Sequence, residues 1–448
     1  MAISETQFLH DLFDEHVDEA SFLHQQKISQ LRAQEITWAE IHDDEQRFAA
    51  HVDALIINGV EAEPYLAKKT GDFDSEQLFV YVSFLIRADK FDRFLNLLEE
   101  IDFEDLEIVE NVSLALVFDI PLQWLDKLKN TDFKAYPHYL PIFLPAFVFR
   151  NSDLNPEWFL NNQHVTLSEQ PLNIEVLGKS NSQVASDILA KQLPTMEGGI
   201  RKLCISALFK LGHENILDYI QQCNPQKEWP FSVLALGCGS SFAQYCRNIA
   251  TADYNEELVE AIGIIGLTEN IPLLITLLED EALAQKAAEA IYTISGAKFT
   301  TKVFIPEEWE ETELFDDEKA KFEAGEGPCH ADGRPFGETI ELISLEPKDW
   351  TQWWQHSKDK FNSDLRYRFG RPVSPMTLID VVSLPNITNN IRSLCLDELE
   401  IRYGLQCFVH LESSFIQQDY YLKQLAKWGE INDHKFKAGA WYFNAKQM

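Results

Sequence analysis

Ala207-Leu208-Phe209-Lys210-Leu211-Gly212, followed by Glu214-Asn215-Ile216, returns as Ala261-Ile262-Gly263-Ile264-Ile265-Gly266, followed by Glu269-Asn270-Ile271. Between them lies Ala235-Leu236-Gly237-Cys238-Gly239, then Phe242, Tyr245 and Cys246. Gly212, Gly239 and Gly266 are therefore 27 residues apart, each ending one apolar helix-like run and opening the next. Glycine past the last helical turn can take the left-handed conformation that closes a helix, and Asn215 and Asn270 suit the N-cap of the helix that follows. Pro272 falls in a first turn, where its missing N–H costs little. Gly178 and Gly296 flank the set at looser spacing. The pattern predicts at least four helix–turn–helix units between about Pro171 and Gly296, stacked because one unit cannot bury its apolar face alone.

Upstream, Phe48, Val52, Leu55 and Ile56 follow the helical period, and Leu78 to Ile86 is apolar all round, as in a buried helix. Phe91, Phe94, Leu95 and Leu98 supply its antiparallel neighbour, and Leu106 to Phe118 with Leu122 to Leu128 forms another pair. After Gly296 the period is lost. Glu307 to Glu318 holds eight acidic residues in twelve positions, and Ala324-Gly325-Glu326-Gly327-Pro328 breaks any helix. The stretch reads as an irregular, mobile acidic insertion. Helical patterning resumes at Asp349-Trp350-Thr351-Gln352-Trp353-Trp354 and includes Ile391 to Tyr403 and Phe415 to Trp428. Trp350, Trp353 and Trp354 share a helix face, the usual mark of core packing.

The expected fold is all-α: an α-solenoid of short helix pairs with an irregular acidic insertion and a C-terminal helical cap. The expected divisions are 1–170 (irregular helical repeats), 171–300 (regular repeats), 301–349 (the insertion) and 350–448 (the C-terminal helical section).

Of the 448 residues, 45% are hydrophobic and 12% aromatic, enough for a large core. The beginning Met1-Ala2-Ile3-Ser4-Glu5 lacks the basic and apolar regions of a secretory signal. Tyr139 to Phe149, the most apolar stretch, is too short to span a bilayer. Seven cysteines form no CxxC pair and lie mostly in apolar runs, which fits a reducing compartment. These features lead to the expectation of a cytoplasmic protein without a membrane partner.

The net charge is −34, yet residues 351–448 carry 12 Lys and Arg against 10 Asp and Glu, so the acidity belongs to residues 1–350. Such a field repels phosphate backbones and argues against nucleic-acid binding. It favours a basic protein partner and speeds the encounter. Glu307, Glu308, Glu310 and Glu311 are the candidate partner-binding residues.

No P-loop, GxSxG elbow or HExxH motif occurs, and Gly237-Cys238-Gly239 lacks the third glycine of a dinucleotide fingerprint. Cys329-His330-Ala331-Asp332 gathers thiol, imidazole and carboxylate, but no second ligand pair stands at a zinc-like spacing. His213 reads as a helix-opening residue. Arg366, Arg368 and Arg371 can hold an anion or pair with carboxylates, those of the insertion included, and so fasten the C-terminal section to the repeats. No catalytic, cofactor or metal residue is assigned, and the chain reads as a non-enzyme.

The helix pairs, the break, Trp350-x-x-Trp353-Trp354, Arg366-Tyr367-Arg368-Phe369-Gly370-Arg371-Pro372 and the run Leu396 to Gly404 together resemble an uncharacterised proteobacterial family of HEAT-repeat-like proteins. The resemblance covers about Pro171 to the C-terminus and, more weakly, the N-terminal part. Members are often encoded near type VI secretion genes, which implies a binding scaffold or adaptor for an effector or spike. An immunity-type inhibitor of a basic toxin and a HEAT-repeat enzyme such as a DNA glycosylase or lyase are the alternatives. The acidic Glu307–Glu318 stretch departs from the family pattern.

Overall fold

The computed structural model describes residues 5–33, 36–130, 137–150, 171–213, 215–218, 230–249, 254–306, 314, 316–323, 329 and 333–448. Through Ser295 the described elements are all helices, joined by turns and loops, as the apolar periodicity requires. Helices α1 (Glu5–Arg32), α2 (His42–Ile57) and α3 (Gly59–Leu66) pack together at the start. Then come α4 (Ser75–Arg87), α5 (Phe91–Leu98), α6 (Leu106–Asp119), α7 (Leu122–Lys129) and α8 (Leu140–Phe149). The glycine-punctuated part comprises α9 (Pro171–Lys179), α10 (Gln183–Gln192), α11 (Gly198–Lys210), α12 (Phe231–Gly237), α13 (Ser240–Asn248), α14 (Glu256–Ile265), α15 (Ile271–Leu277) and α16 (Ala284–Ser295).

Local chemistry sets the helix starts. Asp74 and Gln77 form a reciprocal capping box on α4, and the carboxylate of Asp105 accepts from Glu107 N and Ile108 N on α6. On α14 the cap is Asn255, which accepts from Leu258 N. Asn270 makes no side-chain cap; it is buried in a 3-10 turn ahead of α15, where Pro272 occupies the first turn as expected.

One set of helices, α4, α6, α8, α9, α11, α12, α14 and α16, packs each on the next in chain order. From α9 onward, C-terminal parts meet: Gly178 of α9 lies against Ala207 of α11, Gly237 of α12 against Phe209 of α11, and Gly263 of α14 against Ala290 of α16. A Cβ on Gly263 would stand 2.9 Å from Ala290 Cα, so glycine there sets how closely the two helices approach. Two apolar cores run along this set and meet at α9, which gives Val176 to the first and Ile174 and Leu177 to the second.

Gly212, Gly239 and Gly266 all fall in turns between helices, but their backbones differ. Gly212 and Gly266 are left-handed, with φ of 64° and 79°, whereas Gly239 has φ of −96° and serves as the N-cap of α13. Equal spacing marks equivalent places in the array, and the turn at each place has its own geometry.

The segment expected to be irregular begins and ends in regular structure. Strand β1 (Thr300–Pro306) pairs antiparallel with β2 (Gly337–Ile343), from Thr300 opposite Ile343 to Pro306 opposite Gly337. Between them α17 (Asp316–Glu323) is helical. The β-branched residues of Thr300-Thr301-Lys302-Val303-Phe304-Ile305 and Thr339-Ile340-Glu341-Leu342-Ile343 favour extended chain, a signal hidden by the acidic run that separates them.

Helices α18 (Pro347–Ser357), α19 (Pro375–Val382), α20 (Asn389–Tyr403) and α21 (Phe415–Asn432) complete the chain with two short hairpins, β3 (Tyr367–Arg368) with β4 (Arg371–Pro372) and β5 (Tyr442–Phe443) with β6 (Lys446–Gln447). This section has its own apolar core around Val373, Leu378, Leu399 and Tyr442. Rather than covering only the last helix pair, it lies along the array. Tyr421 OH donates to Phe149 O at the end of α8, and Lys27 Nζ of α1 donates to Ser413 O. Trp38, which follows α1, donates to Leu384 O and stacks on Phe415. The β5–β6 hairpin places Asn444 against Gly212 and Met448 against Gly239, while the β3–β4 hairpin covers Gly266 and Gly296 with Tyr367 and Phe369. The 27-residue glycine rhythm is thus the line along which the C-terminal section docks. The fold is predominantly helical, and no helix among the described residues is long and apolar enough to cross a membrane.

Candidate functional site

Two constellations of charged residues stand out, one buried and one open. The buried one joins the C-terminal section to the array. Arg366, Arg368 and Arg402 surround Glu398 at 2.5, 2.8 and 3.1 Å, and all four side chains are inaccessible to solvent. Burial would raise the Glu398 carboxyl, but the three guanidinium groups hold it well below the usual carboxylate range. Three cations exceed one anion, and helix ends take up the excess. Arg366 donates to Ile265 O and Ile264 O, and Arg368 to Gly263 O and Ile264 O, at the C-terminus of α14. Arg402 donates to Ala235 O and Cys238 O at the end of α12. Unpaired carbonyls and the negative pole of the helix make these natural cation sites. One helix earlier, Lys210 bonds Asp397 at 2.7 Å and Lys179 bonds Glu400 at 2.8 Å. Burial raises the Glu400 carboxyl, yet the charges of Lys179 and Lys210 bring it below its ordinary value. The arginines of the Arg366–Pro372 run therefore bind carboxylate and backbone within the fold: Glu398 is the anion, and Arg371 pairs with Asp380 near the surface.

The open constellation is a groove of about 460 Å³. Its floor is made by α12, α14 and α16 through Ser232, Leu236, Glu260, Ile264, Glu289 and Thr293. Lys202 of α11 borders it, and β2, the start of α20 and Thr37 form the walls. Thr37 bridges to Thr388, which brings the segment after α1 to the rim. Most charges here are internally matched. Lys202 Nζ lies 2.7 Å from Glu257 Oε1, whose other oxygen accepts from Ser232 N at the start of α12. Glu289 accepts from Gln285 and Lys286 at 2.8 and 3.0 Å. Glu260, between these pairs, has no hydrogen-bond or ion-pair partner among the described residues. Its side chain is exposed to the groove; desolvation by the surrounding walls raises its carboxyl, as do the neighbouring Glu257 and Glu289, while Lys202 and Lys286 oppose the shift. Ser232 is 4% exposed, and its Oγ has no partner among the described residues. A carboxylate left free in a cleft of this size can receive a cationic hydrogen-bond donor.

The acidic candidates Glu307, Glu308, Glu310 and Glu311 lie outside the described residues, as do His330 and Asp332. Cys329 is half-buried and forms a bridge with Pro335. Among the described residues no group of three or more His, Cys, Asp or Glu side chains is arranged to hold a metal. Trp350 is fully buried and donates to Ser344 O at 2.8 Å, whereas Trp353 and Trp354 are half-buried against Phe361. His213 follows α11 and meets Ser186 Oγ at 2.8 Å.

Sequence reasoning looked for function in the acidic run and passed over Glu260. The available signal was modest: Glu260 and Glu289 are 29 residues apart, about one repeat, on helices whose other faces are apolar. Comparison with protein-family models, curated proteins and solved structures finds no match for this chain.

Proposed function

We propose that the chain is a non-enzymatic α-solenoid scaffold that binds a basic protein partner, in the cytoplasm, through the groove on α12, α14 and α16. The observation that carries this reading is Glu260, a partnerless carboxylate on a floor built from successive array helices. The stacking of those helices in one sense supports a solenoid, and solenoids commonly present such floors to other proteins. The C-terminal section covers helix ends along the array, and the groove stays open beside the start of α20. The net charge of −34 favours encounter with a cationic surface. On the resemblance to HEAT-like proteins encoded near type VI secretion genes, the partner is an effector or a spike-associated protein. The charge equally favours an immunity-type inhibitor of a basic toxin.

Affinity capture on the intact chain at low and physiological ionic strength, with mass spectrometry of the retained proteins, tests the proposal. A positively charged partner whose association slows as salt rises is expected, because surface fields are screened beyond about 8 Å at physiological strength. Co-expression of that partner alone and with this chain separates adaptor from inhibitor, since only a toxin is lethal alone and harmless in company. Retention of no protein above a blank support, or salt-independent association, defeats the reading.

A further inference from the structure

The β1–β2 ribbon has two strands, so β2 has one edge without a strand partner among the described residues. Ser344 N donates to Phe299 O in the same register that places Thr301 opposite Leu342. Antiparallel pairs alternate between hydrogen-bonded and non-hydrogen-bonded, so Leu342 directs its backbone groups toward β1 while those of Glu341 and Ile343 face the other way. Glu341, Leu342 and Ile343 form a wall of the groove. An unpaired strand edge is a template for another extended chain. Lys298 and Glu341, of opposite charge, line this wall, and Glu260 is the floor carboxylate without a hydrogen-bond or ion-pair partner among the described residues.

We propose that the groove binds an extended peptide segment of the partner protein, which adds a strand to the free edge of β2 and sets a lysine or arginine side chain on Glu260. This rests on the scaffold reading and specifies what the scaffold holds. Backbone pairing with Glu341 and Ile343 supplies sequence-independent attachment, and the side-chain position over the floor supplies selectivity. The volume of about 460 Å³ falls within the range of clefts that enclose a ligand of a few residues. A cation beside Glu260 also reverses the rise in its carboxyl pKa, so binding and ionisation favour each other.

The test is selection of a phage-displayed random heptapeptide library on the immobilised full chain, followed by fluorescence anisotropy with the synthetic winner. Selected sequences are expected to share one Lys or Arg position. Replacing that residue by norleucine should weaken binding at least tenfold, and Glu260→Gln should do the same for the parent peptide while leaving the norleucine peptide nearly unaffected. N-methylation of alternate backbone amides, which removes strand pairing and keeps the side chains, should also cost tenfold or more. Glu281→Gln, in an exposed turn, is the control for net charge, and helical circular dichroism checks that Glu260→Gln is folded. Failure to enrich any sequence over the bare support overturns the proposal, as does equal binding by Glu260→Gln or by the N-methylated peptide. Lysine amide or spermidine binding with the same dependence on Glu260, without any selected peptide, would identify a small-amine site instead. If Glu260→Gln loses the natural partner while the N-methylated peptide binds as well as its parent, the groove scaffold stands and strand addition falls; if the partner is captured equally by the parent chain and Glu260→Gln, or if neither peptide nor partner is retained, both fall.

Discussion

Glu398→Gln should be among the most damaging conservative substitutions in this chain. The side chain keeps its size but loses the only anion among the described residues in contact with Arg366, Arg368 and Arg402, all fully buried. Removing one partner from a buried ion cluster costs about 3–5 kcal/mol, because the remaining charges stay desolvated and unopposed. Here three cations would remain against the carbonyl ends of α12 and α14. Unfolding entropy of about 2.1 cal/mol/K per residue gives about 0.9 kcal/mol/K for a chain of this length. The expected fall in melting temperature is therefore about 3–5 °C if unfolding is global, read by calorimetry at pH 7. The acid dependence gives a second reading. The folded carboxyl is depressed below its ordinary 4.5, so its stabilisation is fully present above that value and is lost as pH falls through the lower folded pKa. The gap between parent and variant should be unchanged from pH 7 to 5.5 and narrow only below about 4.5. A variant that melts within 1 °C of the parent, or a gap that closes near neutrality, refutes the account of the cluster.

Gly266→Ala should destabilise by about 1–2 kcal/mol from its left-handed backbone alone, with more from a Cβ placed 2.5 Å from Tyr367 O. Gly239→Ala, with φ of −96° and only the flexible end of Met448 nearby, should leave the melting temperature almost unchanged. Burial pushes the thiols of Cys204, Cys238, Cys246 and Cys395 up to about 12, so among the described cysteines iodoacetamide should modify half-buried Cys329 first, as peptide mass spectrometry can follow. Trp38→Ala should weaken the attachment of the C-terminal section to the start of the chain, where the indole donates to Leu384 O, stacks on Phe415 and lies under Arg392. Limited proteolysis should then release C-terminal fragments sooner than in the parent, and an unchanged digestion course would show the contact to be dispensable.

The helices were legible wherever one face or the whole circumference was apolar, as in Leu78–Ile86 and Ala261–Ile265, because the pattern is local. The β1–β2 ribbon was not, since its two strands are separated by thirty residues and β1 does not alternate between buried and exposed positions. The glycine rhythm pointed to stacked units but gave no hint of what would lie on them. Arg366 and Arg368 were recognisable as pairing residues, yet their main partners include backbone carbonyls more than a hundred residues away, to which no side-chain pattern points, and Arg402 was not singled out at all. Glu260 was hidden for the opposite reason. It sits on an amphipathic helix where an acidic residue is ordinary, and only the tertiary fold shows its neighbours already matched.

The contact of the C-terminal section with so many helix ends bears on how the chain comes to be folded. Arrays of helix pairs usually depend on nearest neighbours, so they form piece by piece and fray from either end. In this chain Lys27 meets Ser413 across 386 residues, Arg402 meets Ala235 across 167 and Arg366 meets Ile265 across 101. During synthesis the carbonyl ends of α14 and α12 stay bare until Arg366 and Arg402 have been added, and the β5–β6 hairpin seats after them. These contacts form late in the chain order and tie α1, α12 and α14 to the C-terminal section as one cooperative unit. Loss of a few C-terminal residues should be felt as far away as α11 and α12, whose turns at Gly212 and Gly239 lie beneath Asn444 and Met448.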